Sequence, residues 1–363
     1  EDKLNSVSNN IKKIYKNLVK LFFYFLYGGI EINNNLKLIE KIKIKNKYFG
    51  NNRYYIYKIK DGVTFTDNTQ NVAAISNNKL HVEPSFQHGN DKIISPKFNP
   101  VLKRGLINFR KKYDGTVLSL VQGASTENYF HWLMDILPKI KIYSSKYLVK
   151  KVDYFYLSKL TSSQKQSLQY LGIQSKKIIN SSLYKHISAK KIFFVSHPWY
   201  TKGKFHDQSH KLPKWQISWI RTTFIKFRKK FKISKNIYID RSESKHSHCQ
   251  IINNTELKEY LKKKNFSIVK LANQKFSKQI FMFWNADCII GAHGAALTNL
   301  VFCKPKTKVL EIKPFGHPGQ NYKRISKINN LKYYSIVSEK KYLNKENGDI
   351  FVNIKKLGKK INL

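Results

Sequence analysis

Residues 288–302 read CIIGAHGAALTNLVF, an apolar run joined to a helix-like run through small residues and one histidine. Cys288, Ile289 and Ile290 read as the end of a buried strand, and 295–302 reads as a short helix packed on a sheet. Gly291 and Gly294 form the corner. Such a unit leaves the first N–H groups of the helix aimed out of the carboxyl edge of the sheet, where they can bind an anion. The same pattern also fits a tight turn whose glycines serve backbone geometry alone, so the flanking chain decides.

On either side of the corner, strand and helix patterns alternate. Residues 236–240 and 266–271 read as strands. Residues 255–264 read as a helix capped by Asn253 with Glu256 at the capping-box position, and 277–286 as another helix. A strand at 309–312 closes a βαβ crossover, which predicts a parallel, doubly wound sheet. The first half alternates in the same way, with strands at 54–59, 117–122, 154–157 and 192–196 and helices at 131–143 and 162–171. Between the halves, 198–213 is polar and irregular, with Pro198, Gly203 and Pro213, and reads as a linker. A helix with Ile217, Ile220 and Phe224 at three- and four-residue spacing follows it. The expected fold class is therefore α/β, with two Rossmann-like domains facing across a cleft. The expected division is a helix at 1–30, a domain at 31–197, a linker at 198–213, a domain at 214–340 and a tail at 341–363.

The chain has 363 residues and a formal charge of +46, from 68 Lys and Arg against 22 Asp and Glu. Such a balance points first to nucleic acid or an anionic membrane. Only seven of the basic residues are arginine, however, and arginine is the residue that reads phosphates and bases bidentately. Most of the charge therefore reads as solvated surface. The three cysteines, 249, 288 and 303, lack framework spacing, which predicts a reducing, cytoplasmic setting, with contact at the inner face of the membrane left open. Residues 18–27, LVKLFFYFLY, are too short to span a bilayer and no cleavage site follows them. They fit a core helix, or a helix lying on a membrane with help from Lys12, Lys13, Lys16 and Lys20.

Four features carry chemistry. In NYFHWLMDILPK, residues 128–139, His131 and Asp135 share one helical face after the small-residue corner 123–125. They fit a general base with its orienting carboxylate, a carboxylate base beside a binding histidine, or a helix-start cluster. Asn128, Tyr129 and Trp132 of this segment are candidate ligand contacts beside the pair. Arg241 follows the 236–240 strand, where a guanidinium suits a diphosphate and Asp240 offers an ion pair instead. Glu311 ends a strand, where a carboxylate can accept ribose hydroxyls. Gly291, His293, Gly294, Ala295 and Asn299 complete the expected anion-binding set. His246, His248 and Cys249 with His293 lack paired zinc spacing, so no metal is expected. No Asp-x-Asp clamp and no Gly-x-Ser-x-Gly elbow occur.

NYFHWLMDILPK, IYIDR followed by IINNTEL, and FSKQIFMFWNADCIIGAHGAALTNLVFCKPKTKVLEI together resemble glycosyltransferase family 61 over residues 118–334. The resemblance implies a GT-B-type, inverting transferase that takes a sugar from a nucleotide-activated donor, with Asn128, Tyr129 and Trp132 on the acceptor side and Arg241, Gly291, His293, Gly294, Ala295, Asn299 and Glu311 on the donor side. No cofactor is expected, and the missing Asp-x-Asp clamp predicts catalysis without a metal. It also implies a glycan or lipid-linked acceptor, as in bacterial capsular or other surface polysaccharide synthesis. Where many relatives carry further arginines after the IYIDR strand, this chain has Lys245, His246, His248 and Gln250. The alternative reading is a basic protein that binds nucleic acid or anionic membrane and transfers nothing.

Overall fold

A computed structural model describes residues 2–33, 39–67, 71–89, 92–122, 128–242, 249–272, 274–340 and 348–362, with side chains from Ser8 onward. The corner at 123–125 and Lys245, His246 and His248 lie outside the described residues. The chain forms two compact units. The first comprises Glu1–Glu127, Lys139–Leu160 and Gln174–Lys202, and the second Asn128–Pro138, Thr161–Ile173 and Gly203–Leu363. This differs from the contiguous division expected at residue 197. The reason is local: within the second unit the Trp132 indole donates to Ser167 Oγ at 2.9 Å, and the Ser277 N–H donates to Gln166 at 3.0 Å.

The first unit is built on a nine-stranded sheet among the described residues. Its order is Glu31–Asn33, Lys79–His81, Val72–Ser76, Tyr54–Thr66, His186–Val195, Lys111–Ser119, Tyr154–Leu157, Ile178–Asn180, with Glu40–Ile44 also paired to Tyr54–Thr66. From His186–Val195 to Ile178–Asn180 the pairs are parallel, as a Rossmann-like half requires. Tyr54–Thr66 is antiparallel to its neighbours, so the sheet is mixed, and the Rossmann-like domain expected of this half is met only in that parallel part. A hairpin adds a further antiparallel pair. Asn77 and Asn78 have φ of 46° and 55°, the paired left-handed conformation of a two-residue hairpin turn, and they fold Lys79–His81 back on Val72–Ser76.

The second unit holds a five-stranded, all-parallel sheet in the order Ser267–Val269, Asn236–Ile239, Cys288–Ala292, Lys308–Lys313, Lys332–Val337. Relative to chain order this is 2-1-3-4-5, a doubly wound arrangement that switches direction between its first and third strands. Leu257 and Leu261 of the helix Asn254–Lys263 pack with Tyr238, Ile290 and Leu310 on one face. The capping box expected there does not form. Asn253 instead exchanges hydrogen bonds with the backbone of Val352, at 3.0 Å in each direction.

The opening helix, Asp2–Tyr27, is not a core helix. Of its described side chains only Phe23 is buried. No helix among the described residues is long and apolar enough to cross a membrane.

Two histidines of the first unit make its stability depend on pH. His81 lies 2.7 Å from Ser76 Oγ, and His186 donates from Nδ1 to the Asn108 carbonyl at 2.8 Å. Burial pushes both rings from their ordinary 6.5 down to about 4. Between those values the unfolded chain binds protons that the folded chain refuses, so acidification from pH 6.5 to 4 removes stability. The melting temperature should fall across that window, and less steeply in a His81→Gln, His186→Gln variant; equal slopes would contradict the assignment.

Candidate active site

The switch point of the parallel sheet sets the site. Ile239 pairs with Gly291, so the chain leaves both strands at one level and continues into Asp240-Arg241 on one side and His293-Gly294 on the other. Ligands of open α/β sheets lodge outside the carboxyl ends at such a point. The His293 N–H bonds the Ile312 carbonyl at 2.7 Å, carrying the ladder one residue past Cys288–Ala292.

Asp240 does not pair with Arg241. Burial would raise its pKa, but the Ser242 N–H, the Asn254 amide and the Ser242 hydroxyl, with Lys258 3.6 Å away, hold it below the ordinary value. Arg241 is left to donate from Nη1 to the His293 carbonyl. Gly294 makes that approach possible: its φ is +156°, and a Cβ there would run into the guanidinium. Gly291 has a different task. Its missing side chain lets Ile239 and Leu297 close over the strand, at 3.3 and 3.4 Å from where a Cβ would stand. Residues Ala295–Phe302 form a 3₁₀ rather than an α-helix.

Two imidazole–carboxylate pairs lie in this unit. His293 Nδ1 is 2.5 Å from Glu311 Oε1, and the Tyr333 hydroxyl donates to Oε2. Glu311 is 1% exposed with both oxygens engaged, which removes it from the ribose role expected of it and makes it the support of His293. His131 Nδ1 is 2.6 Å from Asp135 Oδ2. Asn128 caps that helical run, accepting from the Phe130 and His131 N–H groups. Trp132–Ile136 then winds as a π-helix, with the Leu137 N–H bonded to the Trp132 carbonyl, and the Gln216 amide donates to the Met134 carbonyl.

Aromatic rings lie between the two pairs. His131 faces Phe205 with centroids 5.2 Å apart, Phe130 meets Tyr322 at 6.3 Å, and His293 meets Tyr322 at 5.0 Å and His317 at 3.8 Å. Buried Lys313 donates to the Gly319 carbonyl at 2.8 Å, and Gly319 keeps the 315–319 loop close: a Cβ there would stand 2.9 Å from His317 and 3.1 Å from His293. Reading the sequence missed Phe205, Tyr322, Tyr333, Lys313 and His317. The one available signal was FGHPG, a turn cluster directly after a strand.

Three expected site residues serve the scaffold instead. Asn299 is fully buried: its oxygen accepts from the Tyr129 hydroxyl at 2.6 Å, and its amide donates to Gln279 at 3.1 Å and to the Ala296 carbonyl at 3.2 Å. Tyr129 is thereby the clasp that holds 128–138 to the Ala295–Phe302 turn. Trp132 is buried with its indole N–H on Ser167. No cluster of three or more His, Cys, Asp or Glu suited to a metal occurs among the described residues. None of the three cysteines is in a disulfide; burial raises each thiol, those of Cys249 and Cys288 to about 11.

In the first unit a cavity of about 290 Å³ lies at the carboxyl ends of Lys111–Ser119 and His186–Val195, lined by Arg53, Ser119, Lys139 and His197 among others. Trp199 and Tyr200 are buried and pack against His197.

Glu311→Leu would strand two buried donors, His293 Nδ1–H and the Tyr333 hydroxyl, and each unmet polar group costs about 1–3 kcal/mol. Urea unfolding should show a loss of at least that size, and an unchanged midpoint would mean that the pair does not hold the strand end.

The profile of Glycosyltransferase 61 matches residues 129–310, half of the chain. A Beta-1,2-xylosyltransferase, RCN11 of Oryza sativa subsp. japonica, is 38% identical over 65 residues, which are 18% of this chain and 12% of that protein. The profile runs from Tyr129, at the start of the His131–Asp135 helix, to Leu310, one residue before Glu311, and so encloses Arg241, His293 and Gly294. The chain belongs to glycosyltransferase family 61.

Proposed function

We propose that the switch point binds the diphosphate of a nucleotide-activated sugar and that the sugar is transferred with inversion to a hydroxyl acceptor. The observation that carries this reading is Arg241, laid on the His293 carbonyl over a residue that must be glycine. The guanidinium keeps further N–H groups for an anion, and none is neutralised by Asp240, whose oxygens are taken by Ser242, Asn254 and Lys258. With Nδ1 bound to Glu311, Nε2 is the His293 nitrogen left to meet the same ligand. Charge developing on the departing diphosphate would be met by these cationic and polar groups, with no divalent metal required.

A Gly294→Val variant should lose nucleotide-sugar binding, measured by calorimetry in EDTA, while melting as a folded protein. Normal affinity in that variant would remove the corner from the donor site, and binding by the parent protein only when manganese is supplied would remove the metal-free reading.

In the transfer step an acceptor hydroxyl attacks the anomeric carbon, its proton passes to a base, and the bond to the diphosphate breaks. We assign the base to His131. Asp135 is 2% exposed and its Oδ2 is bound to the ring, so it orients His131 and is poorly placed to meet an acceptor itself. The likeness to the Oryza sativa xylosyltransferase over 65 residues supports sugar transfer as the reaction, and we propose a glycan or lipid-linked acceptor. A surface-polysaccharide role is part of the same proposal. His131→Ala should lower turnover by ~10²–10⁴-fold with donor affinity little changed. Loss of donor binding with turnover intact at saturation would move His131 to the donor, and a fully active variant would end the assignment.

A further inference from the structure

One side of the helix Asp2–Tyr27 is docked on the first unit at its carboxyl end. Phe23 is buried, its ring 5.2 Å from that of Phe109. The Tyr27 hydroxyl accepts from the Arg110 N–H at 3.0 Å, and the Asn78 amide donates to the Tyr27 carbonyl at 2.9 Å. The other side carries Ile11, Ile14, Leu18, Phe22 and Phe25, which recur at three and four residues and therefore form one stripe. These five are 51–79% exposed. Phe109 is 72% exposed and its ring lies 6.1 Å from Phe22, so it extends the stripe onto the body of the unit. A contiguous apolar face of this kind on a water-soluble surface marks an interaction site.

The charge around the stripe selects the partner. No Asp or Glu occurs between residues 3 and 30, while Lys12, Lys13, Lys16 and Lys20 stand on the helix and Arg110, Lys111 and Lys112 follow Phe109 directly. Large apolar side chains edged by lysine and arginine alone match a surface that is apolar at depth and anionic at its boundary. A second copy of the chain would bring the same seven cations face to face with these and gain no opposite charge. We propose that this helix and Phe109 seat the protein in the plane of an anionic lipid bilayer, with the stripe in the acyl boundary and the lysines and Arg110 at the headgroups. The inference stands apart from the transfer reaction and does not depend on it.

The test is vesicle flotation with the full chain, using phosphatidylcholine vesicles with and without about a third phosphatidylglycerol. The expected result is binding to the anionic vesicles that falls with added salt, and weaker binding to the neutral ones that salt leaves nearly unchanged. Leu18→Glu with Phe25→Glu should weaken binding to the anionic vesicles by more than about tenfold. Replacing Lys12, Lys13, Lys16 and Lys20 by glutamine leaves the apolar packing untouched and should do the same, so the proposal stays testable if the first variant melts early. Equal binding by both variants would overturn it. So would a lipid-free particle of twice the chain mass that becomes single in Phe25→Glu, since the stripe would then be a contact between copies.

Discussion

The parallel pairing of Asn236–Ile239 with Cys288–Ala292 is the constraint on which the second unit depends. These strands are first and third along the chain yet neighbours in the sheet, so the helices that follow them are carried to opposite faces and the chain parts above their ends. The gap that opens is a property of topology and needs no special residue. What chemistry adds is small: one arginine on a carbonyl, one glycine that admits it, and one carboxylate that fixes the neighbouring imidazole. Because Glu311 lies on the adjacent strand, the orientation of His293 is tied to the register of Cys288–Ala292 against Lys308–Lys313. A slip in that register would misplace the ring before it exposed any apolar side chain.

The second unit was largely legible in the sequence because its strands are short, largely apolar, buried runs separated by helix-period segments. The strands at 236–239 and 308–313 fall within a residue of their expected bounds, whereas the strand expected to end at Ile290 begins at Cys288 and runs through Gly291 to Ala292, leaving Gly294 at the corner. The first unit was less legible. Its mixed sheet is centred on Tyr54–Thr66, antiparallel to each of its neighbours, and the Asn77-Asn78 hairpin beside it resembles an ordinary polar loop when read for hydrophobic pattern alone. The site was legible by residue type but not by role. Periodicity put His131 beside Asp135 and Glu311 at a strand end, but which oxygen meets which donor depends on contacts between segments far apart in sequence. Tyr129 with Asn299 and Glu311 with Tyr333 are such contacts. Polar residues in a promising motif were read as ligand contacts, when the buried ones had first to satisfy one another.

The formal charge of +46 says little about the site, and the arginines show why. Arg221 is bound to the Val301 and Cys303 carbonyls, Arg324 to the Leu212 carbonyl, and Arg228 stacks on Trp284. These guanidiniums tie chain segments together within the second unit. Lysine supplies most of the charge and is mostly exposed, which favours solubility and long-range attraction for anions over directed recognition. Specific contact at the switch point is left to a few groups whose geometry is fixed by backbone carbonyls.

The π turn at Trp132–Ile136 makes the length of this segment a matter of function. Its wide bonding admits one residue more than an α-helix would over the same rise, and the Gln216 amide covers the Met134 carbonyl there. Deleting Leu133 or Met134 would let the helix relax to the ordinary winding with its flanks nearly in phase, but it would cut the His131–Asp135 spacing from four residues to three, turning one side chain of the pair by roughly 100° relative to the other. His131 would then turn away from Asp135. Substitutions here can be judged one side chain at a time, whereas a change of length could not be absorbed by any of them. The extra residue therefore acts as a spacer, marking a stretch of chain where insertions and deletions are less tolerated than changes of residue type.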